Sequence, residues 1–306
     1  MFPAYKLYRK EDIDAYDLVF EAFDTLNSIT LYGVSDAGVS DVRALLARVF
    51  ERCVRFQQLW NFTDPQSDIA RINAAQTRAI DVDAATVRLL TESIRLSNLV
   101  PSFNVVLGSV TYLWKSAMRM PSVQEVQEAL THTRIEALHY ENGRVWKDDP
   151  LLKVDIGGIA KGFIADEICS FLRECGVQHA KLDLGGSLAF VGAHPEGRPW
   201  RVRMGVPGGQ VMEVQDCAVS SSGNNQRMRT IEGREFGHIM DPRTGMPAQS
   251  AYRLVSVAAR SALLSDVLST ACMIVDREEI CRLRVRFASD VIDIRYVSFV
   301  DLFTGL

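Results

Sequence analysis

Apolar residues recur at helical spacing along Val42 to Trp60 and again along Ala84 to Asn98, so each stretch predicts an amphipathic helix. Between them SDIARIN, Ser67 to Asn73, opens on a serine suited to the N-cap of a short helix. Upstream, FEAFDTLNSITLY, Phe20 to Tyr32, ends in a β-rich run that leads into a Gly/Ser/Asp turn. PSFNVVLGSVTYLW, Pro101 to Trp114, begins as a loop and turns helical, and Val123 to Leu130 is helical again. The chain up to about residue 134 therefore predicts as mostly helix.

From Ile135 the period shortens. Glu136 to Tyr140 and Arg144 to Lys147 read as strands separated by an ENG turn, with a third strand at Leu151 to Ile156. A helix from Ile159 to Cys175 precedes strands at Ala180 to Asp183, Leu188 to Ala193, Trp200 to Val206 and Cys217 to Ser221. Segregated helices and strands predict an α+β fold rather than a strictly alternating doubly wound sheet. No internal repeat or low-complexity linker divides the chain, so one domain is expected over 1–306. It has a helix-rich first half, about 1–134, and a sheet-rich half, about 135–306, around a shared core.

Composition alters this picture little. At 306 residues and 47% hydrophobic, the chain can fill a large core. A net charge of -4 and the lack of any Lys/Arg run leave no footprint for nucleic acid or a membrane surface. The six cysteines have no CxxC or histidine-linked spacing, which points to free thiols rather than zinc or a disulfide framework. MFPAYKLYRKEDIDAYDL lacks the uninterrupted apolar core of a signal peptide, and no stretch reaches the roughly 18 apolar residues of a membrane span. The expectation is a cytoplasmic protein.

Three segments carry the chemistry. KVDIGGIAKGFIAD places Asp155, Gly157, Gly158, Lys161 and Gly162 where an apolar run becomes a helix. Glycines there admit a ligand to the backbone, and a helix start offers free N–H groups to a phosphate; a tight structural turn with a surface lysine reads the same way. Ala262 to Val275 contains one charged residue, Asp266, with Thr270 one turn further on the same face. A carboxylate on so apolar a helix needs a cation, a metal or several donors. Asp266 with Ser269 and Thr270 offers the hard oxygens that Mg²⁺ or Ca²⁺ accepts, although pairing with a core arginine would also satisfy it. His238 and Asp241 flank an apolar pair before the turn PRTG, where a general base, a phosphate ligand or a structural histidine all fit. Ser220, Ser221 and Ser222 precede Gly223 without a GxSxG elbow, which argues against a serine hydrolase.

Together these segments resemble the ApbE family, the flavin transferases that move FMN from FAD onto a protein threonine. DIGGIAKGFIAD is similar to that family's D-[IL]-G-[GA]-I-A-K-G-[YF]-x-x-D, and LDLGGSLAFVG to its Gly-Gly strand turn. GHIMDPRTGMP is similar to H-[IV]-[ILM]-D-P-x-T-G-x-P, and SDVLSTA to [AS]-D-x-[LM]-[AS]-T-A. FDTLNSITLYG, SDIARIN and SFNVVLGSVTYLW agree more loosely; Pro101 and Asn104 depart from the family's G-[AL]-F-D-[PI]-T.

The resemblance implies an α+β fold with FAD as substrate in a cleft between lobes and a Mg²⁺ ion on its pyrophosphate. It implies metal contacts from the Gly158 carbonyl, Asp266, Thr270 and Ser269. It places Asp155 and Lys161 on FAD, with Phe23, Ser102, Phe103, Asn104 and Met240 as neighbours. The implied partner is an acceptor protein with an FMN-attachment threonine, and AMP is the leaving product. A threonine hydroxyl needs a base, for which His238 oriented by Asp241 is the expected group, while Lys161 stabilises charge. Two rival activities would use the same cleft: hydrolysis of FAD to FMN and AMP, and FAD binding without turnover.

Overall fold

The computed structural model describes residues 4–34, 41–205, 210–223 and 228–298. Its backbone is one large antiparallel sheet with helices inserted between successive strands, an α+β architecture. The strands are β1 (Tyr5–Lys10), β2 (Ala15–Ala22), β3 (Thr25–Tyr32), β4 (His179–Leu184), β5 (Ser187–Val191), β6 (Ala218–Gly223), β7 (Tyr252–Ala259) and β8 (Val291–Ser298). Each pairs with the next in chain order, so the sheet is a meander whose loops have grown.

The largest insertion, between β3 and β4, carries α1 (Val42–Trp60), α2 (Asp68–Ala74), α3 (Ala84–Leu99), α4 (Gly108–Ser116), α5 (Val123–Thr131) and α6 (Ala160–Glu174). Between β7 and β8 lie α7 (Ala262–Cys272) and α8 (Arg277–Arg286). Side chains start several of these helices. Asp41, Ser67 and Asp83 accept from backbone N–H groups of the first turns of α1, α2 and α3, and Ser122 with Glu125 forms a capping box on α5.

α1 buries Leu45, Leu46, Val49, Phe50, Cys53, Val54, Phe56 and Trp60. Each large apolar side chain of this kind contributes about 1.5–3 kcal/mol by leaving water. With α6 and α7 this stripe covers one face of the sheet, and a continuous core runs from Leu18 on β2 to Ile294 on β8. The opposite face is covered in its middle by a hairpin of Trp200–Arg203 and Val211–Val214. There Trp200, Met212 and Val214 pack on Phe190, Val219 and Ala258.

Two helices meet unusually closely at α6 and α7. A Cβ on Gly162 would lie 2.4 Å from the Ala262 carbonyl oxygen, so only glycine fits that crossing. Asp166, four residues on, accepts from Ser261 Oγ, Ala262 N and Leu263 N at 2.7, 2.7 and 3.0 Å. Burial outweighs these bonds and lifts its carboxyl above the ordinary range.

Several expected elements take another form. The first 134 residues hold β1 to β3 as well as helices, and Phe20 to Tyr32 is two strands joined at Phe23–Asp24. Leu151 to Ile156 forms no strand of a sheet among the described residues; Lys153 makes one isolated parallel bridge to Leu107, and the Asn73 side chain bonds Val154 N and O. Glu136 to Tyr140 begins as a 3-10 turn and becomes a strand at Leu138–Glu141, paired with Arg144–Lys147. Trp200 to Val206 ends as a strand at Arg203, and Val206 lies outside the described residues, as do 35–40 of the turn expected after Tyr32. Among the described residues no helix is long and apolar enough to cross a membrane.

Candidate functional site

The β2–β3 turn, the β4–β5 turn and the end of β6 open at one end of the sheet. They border a cavity of about 420 Å³ whose other walls come from the 102–104 loop, α4, the start of α6, residues 238–240 and α7. Segments separated by up to two hundred and more positions in the chain thus face one space.

Asp266 is the most constrained group in it. It is 5% exposed, with Oδ2 accepting from Gly162 N at 3.0 Å and Oδ1 from Ser187 Oγ at 3.1 Å. Lys161 Nζ stands 3.9 Å from Oδ2. The α6–α7 contact at Gly162 creates this arrangement, because the missing Cβ lets the amide reach the carboxylate. No core arginine pairs with it among the described residues.

Next to Asp266 lies a cluster of hydroxyls. Ser222 Oγ is 2.8 Å from Ser269 Oγ and 3.3 Å from Thr270 Oγ1, and Ser269 donates to the Asp266 carbonyl. A Cβ on Gly158 would sit 3.4 Å from Thr270 Oγ1 and 3.5 Å from the Phe103 ring, so the glycine turn lies directly over Thr270. Among the described residues no three His, Cys, Asp or Glu side chains gather as a metal cage. The donors here are instead one carboxylate, hydroxyls and a nearby backbone carbonyl, the hard oxygens suited to Mg²⁺ or Ca²⁺. The residues present therefore fit such an ion.

The turn before α6 is shaped by Asp155, whose Oδ1 accepts from Gly157 N at 2.9 Å. Ala160 N and Phe163 N donate to the carbonyls of Ile156 and Ile159 and Gly162 N to Asp266, so among the described residues the amides of this turn without such a partner are those of the cavity residues Gly158 and Lys161. The Asp155 charge, after burial, raises the Tyr112 phenol. Behind the turn Lys147 is almost wholly buried, and its ammonium donates to the carbonyls of Asn73, Pro150 and Leu152 at 3.0, 3.3 and 2.7 Å.

The expected site residues divide into those in the wall and those behind it. Ser102, Phe103, Asn104, Asp155, Gly158, Lys161, His238, Met240, Asp266 and Thr270 all border the cavity. Ser102 Oγ is buried without a partner among the described residues, whereas Asn104 is taken up by the backbone, donating to Thr133 O and accepting from Val106 N. Ser269 is fully buried and reaches the cavity only through Ser222 and the Asp266 backbone. Phe23 packs on the main core beside the wall residues Asp24 and Thr25.

The expected Asp241–His238 contact is not formed. Both carboxylate oxygens of Asp241 are held by Arg243, Oδ1 from Nε at 2.9 Å and Oδ2 from Nη2 at 2.7 Å, so it braces the PRTG turn. Ser187, Asp24 and Lys115 are wall residues that sequence reasoning did not single out. The Gly185–Gly186 turn beside Ser187 was the available signal for the first; the other two had none.

The model of the ApbE family matches residues 23–292. The FAD:protein FMN transferase of Treponema pallidum is 29% identical over 289 residues, 86% of this chain and 79% of its own length. That of Vibrio cholerae is 26% identical over 258 residues, 80% of this chain and 77% of its own. The crystal structure of the ApbE protein from Thermotoga maritima superposes with a TM-score of 0.81 at 25% identity, covering 94% of this chain and 99% of that one. The flavin transferase ApbE from Vibrio cholerae shares the fold, with a TM-score of 0.80 at 23% identity over 94% and 98% of the two chains.

Proposed function

This chain belongs to the ApbE family, and from that premise we propose that it transfers the FMN moiety of FAD to a threonine hydroxyl of an acceptor protein, releasing AMP. The observation that carries this reading is Asp266, a buried carboxylate with Lys161 beside it at the cavity-facing start of α6. A pyrophosphate needs such a combination: N–H groups and a cation for its charge, and a hard-oxygen site for an accompanying metal.

The residues act as follows. The Gly158 and Lys161 amides receive phosphate oxygens, and the Lys161 ammonium supplies a positive charge that also offsets Asp266. His238 removes the proton from the acceptor hydroxyl, whose oxygen then bonds to the FMN-side phosphorus. The phosphorus–oxygen bond to AMP breaks in the same displacement, and AMP departs with the bridging oxygen. A Mg²⁺ ion held by Asp266, Thr270 and the Gly158 carbonyl, with Ser269 supporting, would supply Lewis-acid stabilisation of pyrophosphate charge. Met240, Phe103 and Ser102 line the space available to the rest of FAD. With Asp241 bound to Arg243, Asp241 is not the group that orients His238.

Incubation with FAD, Mg²⁺ and an acceptor bearing a candidate threonine tests the reading by intact mass and AMP release. FMN on the acceptor supports it. Free FMN and AMP with no adduct would make the protein an FAD pyrophosphatase, and retained FAD without AMP would make it a binding module. His238→Asn should keep FAD binding and slow transfer by about 10²- to 10⁴-fold, with the acidic limb of the rate profile lost. Transfer at the wild-type rate would remove His238 from the base role.

A further inference from the structure

The turn joining β2 to β3 is built against steric preference. Phe23 and Asp24 both have φ of 57°, the left-handed region where an L side chain crowds its own backbone. Two-residue hairpin loops of this shape favour Asn-Gly or Asp-Gly. Here neither position is glycine, and other side chains hold the conformation. Gln57 of α1 accepts from Phe23 N at 2.7 Å, and the buried Asn27 amide donates to Ala22 O and Thr25 O, each at 3.0 Å.

The same turn is keyed to the site. A Cβ on Gly185 would lie 2.6 Å from Thr25, so the β2–β3 and β4–β5 turns interlock, and Ser187 of the second reaches Asp266. Asp24 and Thr25 border the cavity, and among the described residues the Asp24 carboxylate has neither an ion pair nor a hydrogen bond. Glycine at 24 would close this hairpin without strain, so the conformation is not needed for the connection itself. Strain maintained by its surroundings at a ligand cavity points from the outlier to a role for the side chain it displays.

We propose that Asp24 is a substrate-positioning residue whose carboxylate accepts a hydrogen bond from a sugar-type hydroxyl of the flavin dinucleotide, ribityl or ribose. This rests on the FAD reading of the cavity. A carboxylate repels the pyrophosphate, which the FAD reading gives to Lys161 and the start of α6, and so it suits the neutral, hydroxyl-bearing part of the ligand. Hydrogen bonds to a charged acceptor are the stronger class, and the backbone that displays this one is held before binding by Gln57 and Asn27.

The test compares wild type with Asp24→Gly and Asp24→Asn, reading the thermal midpoint and, by calorimetry, the Kd for FAD, FMN and ADP. Asp24→Gly should raise the midpoint by about 2 °C as the turn relaxes, and weaken FAD by about tenfold or more. Asp24→Asn tolerates the left-handed region and keeps a neutral acceptor oxygen, so its FAD affinity should lie between those of wild type and Asp24→Gly. Weakening shared by FMN assigns the ribityl hydroxyls, and weakening shared by ADP assigns the ribose; either supports the proposal. Asp24→Gly with unchanged affinity for all three nucleotides overturns it, as does a fall in midpoint and affinity together, which would make Asp24 part of the fold. Wild type that binds no FAD would defeat the functional reading and this inference with it, whereas binding that is indifferent to residue 24 defeats the inference alone.

Discussion

Lys147 and Asp266 are both ionisable groups in nearly dry surroundings, 1% and 5% exposed, yet their environments differ in kind. Lys147 is closed: its three protons go to the carbonyls of Asn73, Pro150 and Leu152, and it ties α2 to the extended segment that leads into the glycine turn. Asp266 is open: two donors and a lysine at 3.9 Å leave acceptor capacity on the side that borders the cavity. Burial alone therefore does not mark a site. A buried charge whose bonding capacity is used up by backbone is scaffold, and one with capacity left facing a cavity is chemistry.

The largest effect should come from Asp266→Asn, which keeps an acceptor for Gly162 N, turns the Ser187 hydroxyl into an acceptor of the new amide, and removes the charge. Metal-dependent transfer should fall by about 10²- to 10³-fold, comparable with loss of one transition-state stabilising group. Single-turnover rates against Mg²⁺ concentration check this, and wild-type behaviour at limiting Mg²⁺ would erase the contrast with Lys147.

Lys147→Met tests the other side. It strands buried carbonyls and should lower unfolding stability by about 2 kcal/mol, while transfer at saturating FAD stays within about threefold. A rate collapse with stability unchanged would move Lys147 into the chemistry. Burial, assisted by the charge of Lys153, pulls this ammonium from its ordinary 10.5 down to about 8. Across that interval the unfolded chain holds a proton that the folded one has released, so the residue's contribution to stability rises with pH. Denaturant midpoints of wild type should show that rise, and Lys147→Met should lack it.

The smallest of these effects belongs to Lys161→Ala, because this lysine is partly exposed and its partner keeps two other hydrogen bonds. FAD affinity should weaken by about tenfold with little loss of stability. Unchanged affinity and rate would leave the start of α6 as a structural turn.

The parts of the site legible in the chain were those written locally. DIGGIAKG announces a helix start with room for a ligand, and Asp266 stands out because α7 has no other charge. Lys147 was not legible: in RVWKDDP it reads as one of a solvated charge run, and only the fold wraps it in carbonyls. Asp24 was hidden for a related reason, since FDTLNS gives no sign that a non-glycine pair must turn left-handed.

By itself the sequence determined which faces are apolar, where most helices begin, and which short segments could receive an anion, because periodicity, caps and glycine spacing act over a few residues. The tertiary structure alone decided that β1 to β3 continue into β4, that Leu151 to Ile156 contributes one isolated bridge rather than a strand, and that Ser187 reaches Asp266 across 79 positions. It also gave Asp241 to Arg243 rather than to His238. An apolar pattern states that a surface must be covered but not by what. Partner choice between distant segments depends on register, helix crossing distance and the one missing Cβ at Gly162, which exist only once the chain is folded.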